Sequence, residues 1–141
     1  MNRISAIGLL SIAALATCTG AIAQQPAIKA NIPFDFRVGD TWMPAGEYTI
    51  SSPLESIVQL RSADLAKTAT ITSSPSFNES NSGSELVFDK YGDQYFLHRV
   101  LCPTVSSLNL DVTQGKAEKQ ARSRSLEAKL PKGEQTLVAA R

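Results

Sequence analysis

The chain has one histidine, one tryptophan and two cysteines among its 141 residues, and each scarcity removes a class of chemistry. Zinc and copper sites draw on clustered histidine and cysteine ligands. Here His98 and Cys102, four residues apart, do not make a set. A Ser-His-Asp triad could only use His98, and no Gly-x-Ser-x-Gly elbow accompanies it. His98 therefore reads as a cross-strand polar or partly buried residue. Asp89 and Asp93 flank Tyr91-Gly92 without the alternating acidic ladder and distal glutamate of a calcium loop. Phosphate-cradling glycine loops and dinucleotide fingerprints are also missing. These exclusions predict no cofactor, no metal and no catalytic residue. A hydrolase built from carboxylates dispersed along the chain is the least favoured reading.

The chain also lacks an excess of either charge, at formal net +1. That balance hides an asymmetry. Residues 24–115 hold ten acidic and six basic side chains, whereas residues 116–141 hold seven basic and three acidic. The basic end is a candidate contact for acidic surfaces, including the chain's own body. Glu118 and Glu127 interrupt it and no aromatic residues interleave, which disfavours nucleic acid.

What is present begins with a targeting pattern. Arg3, the apolar run from Ile4 to Ala16 and the small-x-small triplet Ala21-Ile22-Ala23 have the order of a secretory signal, predicting an N-terminal signal helix over 1–23 cleaved after Ala23. The apolar run is shorter than the ~20 residues a membrane span needs. Lipoprotein processing at Cys18 is disfavoured by Thr17 before it. Cleavage leaves Cys102 alone, so no internal disulfide forms and stability must come from packing. Cys102 is expected to be a small buried hydrophobe.

The body, 24–112, reads as short strands. Ile28, Ala30, Ile32, Phe34, Phe36 and Val38 alternate with Lys29, Asn31, Pro33, Asp35 and Arg37, the period of a half-buried strand. Pro33 cannot donate to a ladder, so an edge or a bulge is expected there. Further strands are predicted around Tyr48–Ile50, Ile57–Arg61, Lys67–Thr72 and Val105–Val112. Ser73–Ser84 is polar and aperiodic, a long surface loop that Phe77 tacks to the body. The clearest hairpin joins Glu85–Lys90 to Gln94–Val100 through Tyr91-Gly92-Asp93. Residues 113–130 are rich in helix formers, with Thr113 as the N-cap and a thin stripe of Ala117, Ala121, Leu126 and Leu130. Residues 131–141 read as a flexible tail. Seven or eight strands without βαβ spacing predict a mainly β fold, a small antiparallel sandwich or barrel with one C-terminal helix.

Three blocks carry a resemblance. Pro33-Phe34-Asp35-Phe36-Arg37-Val38-Gly39, Met43-Pro44-Ala45-Gly46-Glu47-Tyr48-Thr49-Ile50 and Tyr91-Gly92-Asp93-Gln94-Tyr95-Phe96-Leu97 stand in this order before a charged C-terminal segment. The chain resembles a family of small exported bacterial proteins with P-F-x-F-x-V-G, L-P-A-G-x-Y and Y-G-x-x-Y-F-L blocks. It departs at Met43, where leucine is usual, and at Leu101-Cys102-Pro103, where tryptophan and a glycine-containing turn are usual. The resemblance implies export, a β-rich domain and a bacterial envelope setting, and implies no catalytic residues.

The chain is accordingly expected to be a non-catalytic exported β-domain acting as an envelope or extracellular interaction module, with a protein or polymer partner and no membrane span after cleavage. Its candidate interaction surface is Trp42, Met43, Arg122, Arg124 and Lys129. The alternative is a small-ligand carrier, a barrel whose lumen is lined by Phe34, Phe36, Tyr48, Phe88 and Phe96.

Overall fold

The computed structural model describes residues 24–78, 82–128 and 133–141. The expected signal helix and Lys129 lie outside the described residues. The alternating N-terminal segment is two strands rather than one. β1 (Ala27–Ile32) and β2 (Phe36–Val38) are separated by Pro33, whose missing N–H ends the first ladder. Their parity survives the break: Ile28, Ala30, Ile32, Phe36 and Val38 are all buried. Phe34, half-buried at the break, stacks on Tyr95 at 4.0 Å and meets Phe88 edge-on at 5.1 Å.

The chain continues through β3 (Thr41–Met43), β4 (Gly46–Leu54), β5 (Ile57–Ser62) and β6 (Thr68–Pro75). β7 (Glu85–Tyr91), β8 (Gln94–Leu101), β9 (Leu110–Val112), helix α1 (Lys116–Glu127) and β10 (Glu134–Ala139) follow. The fold is thus mainly β with one α-helix near the C-terminus, as expected, although the described residues form ten strands rather than seven or eight. β6 extends to Pro75, into the stretch expected to be loop, because Ser73–Pro75 pairs with β9. Phe77 is 96% exposed and does not tack the loop to the body.

The pairing runs β1-β4-β5-β6-β9-β8-β7-β10, antiparallel throughout. The path then returns to its start. Ala30 bridges Ala140, and Lys29 and Arg141 exchange backbone hydrogen bonds of 2.7 and 2.8 Å. The segment expected to be a free tail therefore supplies the strand that closes the ring, and it removes the free edge expected of β1. The β2–β3 hairpin packs against β6 and pairs β2 in parallel with β8 at Arg37–Phe96.

Inside the ring, Phe36 meets both Tyr48 and Phe88 edge-on at 5.2 and 5.3 Å, with Ile32, Met43, Ile50, Leu60, Leu86, Leu97 and Val100 around them. Interdigitated rings and branched aliphatics fill this interior. Each such side chain removed from water contributes about 1.5–3 kcal/mol. Phe96 is fully buried but lies outside this cluster, on the opposite face of β8. Four of the five side chains expected to line a lumen thus pack on one another or on Tyr95 within the core, and the fifth faces elsewhere.

Candidate functional site

The β7–β8 hairpin positions the site through an irregularity. Pairing proceeds in step from Tyr91–Gln94 to Phe88–Leu97, after which Val87 faces Arg99. His98 is the extra residue of a β-bulge. A bulge re-aims the side chains around it. Leu97 and Val100, three apart, both enter the barrel core, whereas alternation would send them to opposite faces. Phe96 and His98 project outward, beside Val87, Asp89 and Tyr91 of β7.

An outer face of an antiparallel hairpin usually meets water. This one is covered, and Val87, Asp89 and Phe96 are all buried. The cover is α1, which lies against β7. Its buried residues are Glu118 and Ser125, not the apolar stripe expected, and Leu126 is 64% exposed. Of the expected thin stripe, Ala117 and Ala121 are half-buried and Leu126 is exposed, so the fully buried positions of this helix are polar.

The helix is also started differently from expectation. Thr113 is not its N-cap. Gly115 occupies that position and offers no side chain, and the Ala117 N–H donates to Asp40 Oδ1 at 2.8 Å. Asp40 belongs to the β2–β3 turn, 77 residues earlier. A carboxylate there satisfies an orphan donor and faces the positive end of the helix dipole. Gly115 is required by proximity, since a Cβ there would stand 2.6 Å from the backbone carbon of Gly39.

Between α1, the hairpin and the start of β10 lies a cleft of about 440 Å³, lined by Asp89, Tyr91, His98, Gln114, Arg122 and Gln135 among others. Two of its lining residues, Asp89 and His98, each present a ligand-type atom, and these lie with one from buried Glu118 within 4.8 Å of one another. Asp89 Oδ2 lies 3.4 Å from His98 Nδ1, and Asp89 Oδ1 accepts from Gln135 Nε2 at 3.2 Å. Glu118, 2% exposed, accepts from Gln114 Nε2 at 3.1 Å. His98 Nδ1 is shielded from solvent and makes no hydrogen bond.

Burial pushes the Glu118 carboxyl up to about 7, and the nearby charge of Asp89 adds to the shift; Gln114 and Arg122 oppose it. Burial likewise raises Tyr91, helped by Asp89 and Glu118. Perturbed ionisable groups gathered in a cleft are a recurring property of functional sites. Among the described residues, Asp89 and Glu118 are the buried carboxylates, and both are here.

The residues singled out from sequence are dispersed. Trp42 is 48% exposed, opposite Arg37 on the β2–β3 hairpin. Met43 has no exposure at all and cannot contribute to a surface, because neighbours on a strand point to opposite faces. Arg122 lines the cleft, and Arg124 lines a neighbouring depression beside Tyr91, Gly92 and Asp93. Cys102 is buried as expected, with contacts to Ser84 Oγ at 3.3 Å and Thr104 Oγ1 at 3.4 Å rather than to His98. Asp93, exposed in the turn, is apart from buried Asp89. Asp89, Glu118 and Gln135 were not picked out as site residues; helical spacing alone assigns a glutamate like Glu118 to solvent.

No protein-family model, curated protein or solved structure matches the chain. Among the described residues, no helix is long and apolar enough to cross a membrane.

Proposed function

We propose that the chain is an exported, non-catalytic binding module whose ligand or partner engages the cleft between α1 and the β7–β8 hairpin. The observation that carries this reading is the contrast between a barrel interior filled with rings and an outer face that buries two carboxylates beside an unpartnered imidazole nitrogen. Evolving a packed barrel needs no such arrangement. Buried polar groups without full pairing cost stability, and their concentration in one cleft is the mark of a site that serves recognition. Arg122 and Gln135 at the walls and Tyr91 beside them supply the few convergent polar groups of a small-molecule or side-chain pocket.

Export is supported by the basic, apolar and small-residue order of the first 23 residues. Recovering the chain from its producing cells and sequencing its N-terminus tests this; a start at Gln24 is expected, and an intact Met1 in the cell interior overturns it. For the cleft, amide and side-chain NMR spectra of the chain are followed while envelope and culture-supernatant fractions are added. Shifts confined to His98, Arg122 and Gln135 and their neighbours are expected. Shifts centred on Phe36 and Phe88 would favour a carrier with an interior site instead.

A further inference from the structure

The geometry points to a divalent transition-metal site formed by Asp89 and His98, which line the cleft, and the buried Glu118 beside them, an assignment that rests on reading this cleft as the binding face. One imidazole nitrogen and one oxygen from each of two carboxylates lie within 4.8 Å of one another. Around a tetrahedral zinc ion, with bonds of about 2.0–2.2 Å, such atoms stand roughly 3.3–3.6 Å apart. Small rotations of three side chains close the difference.

Two observations separate this cluster from an ordinary group of acidic residues. The first is His98 Nδ1. It is shielded from water, 3.4 Å from Asp89 Oδ2, and makes no hydrogen bond with it. A cation between these two atoms would use both lone pairs. The second is the outer layer. Gln135 holds Asp89 Oδ1 and Gln114 holds Glu118 Oε1, so an amide fixes one oxygen of each carboxylate. Such outer hydrogen bonds orient metal-binding side chains. The three ligands come from three elements, β7, β8 and α1, and the bulge is what turns His98 toward the other two.

The donor set selects the ion. A nitrogen with two carboxylates and no thiolate suits Zn²⁺, Mn²⁺ or Fe²⁺, whereas Ca²⁺ takes six to eight oxygens. Two carboxylates and a neutral imidazole also balance a dipositive charge. Three protein ligands leave a position open toward the cleft, where an oxygen donor of the bound molecule can complete the shell, with Arg122 on the wall to receive its charge.

The test uses the untagged full chain, stripped with chelator and dialysed against Zn²⁺ and, separately, Co²⁺. One equivalent of Zn²⁺ is expected to be retained, and Co²⁺ is expected to give visible ligand-field absorption. His98→Ala and Glu118→Gln should each weaken binding at least about tenfold while keeping the circular dichroism of the parent chain. Should either variant fail to fold, the parent chain decides: Co²⁺ must shift or broaden the His98 imidazole resonances. The inference is overturned if the parent chain retains no cation, if its His98 resonances are unmoved, or if folded His98→Ala binds as tightly as the parent. Loss of zinc binding with extract-induced shifts intact retires the metal alone. Zinc binding without any such shifts retires the cleft as a recognition site.

Discussion

The two faces of the β7–β8 hairpin are held by opposite means. Leu86, Phe88, Leu97 and Val100 point into the barrel and are held by apolar packing. Asp89, His98 and Glu118 on the other side lie together with each carboxylate held by a glutamine amide and an imidazole nitrogen left unbonded, under a helix whose fully buried residues are polar. The inner face gains stability from every atom it buries. The outer face spends some of that stability on an arrangement with binding chemistry. A single inserted residue, His98, separates the two regimes, because it lets one strand serve both faces.

The contrast is broken most severely from the inside. Phe88→Ala deletes a fully buried ring that contacts Phe34 and Phe36, and a loss of about 3–5 kcal/mol is expected in urea unfolding. A pH titration then probes the outer face in metal-free protein. Glu118 has a folded-state pKa of about 7 against an ordinary value of 4.5, so the folded chain holds this proton more tightly than the unfolded one. Its contribution to stability is complete below about pH 4.5 and is lost as pH rises to about 7, by up to about 3 kcal/mol. Glu118→Gln should flatten that dependence between pH 5 and pH 8 in thermal melts. A slope unchanged in the variant would place the titration elsewhere.

A smaller effect tests the link between the two regions. Asp40→Ala removes the acceptor that fixes the start of α1 from the β2–β3 turn. A loss of about 1 kcal/mol is expected, with amide exchange accelerating in α1 but not in the barrel. Trp42→Ala should change stability by less than about 0.5 kcal/mol, because Trp42 is substantially exposed on a three-residue strand. A larger change would mean that this ring packs on the body after all.

Much of the inner face could be read from the order of residues. Even-position alternation from Ile28 to Val38 identified the inward side chains on both sides of Pro33, since period-two burial is a local property. The Tyr91-Gly92-Asp93 turn identified the main hairpin for the same reason, with Gly92 at φ 62°. Of the strand expected over Val105–Val112 only Leu110–Val112 is strand, because Ser106–Leu108 forms a 3₁₀ turn, although Leu108, Leu110 and Val112 are all buried. The outer face was not legible. His98 changes its role only when β7 and β8 fall out of step, which depends on a pairing that neither strand encodes alone. Glu118 is buried against an alternating charged background that resembles any solvated helix. The side-chain acceptor at the start of α1 is Asp40, which no local window around Thr113 includes. β10 was missed for a related reason: only Val138 of Glu134–Ala139 is buried, so its strand identity comes from backbone pairing with β7 and β1 rather than from pattern. Trp42 and Met43 were grouped by adjacency in sequence, and the pleat puts them on opposite sides.

Ring closure gives the barrel a temporal property. The bonds between Lys29 and Arg141 join β1, the first strand among the described residues, to residues synthesised long after it. Until β10 arrives, β1 offers one row of unsatisfied amides and carbonyls, and any strand of suitable length can pair with it. Alternating Lys29 and Asn31 on its outward face keep that edge hydrated during the wait. The pairing of β1 with Ala140 and Arg141 has the largest sequence separation in the ring, so it carries the highest loop-closure cost of any ladder here.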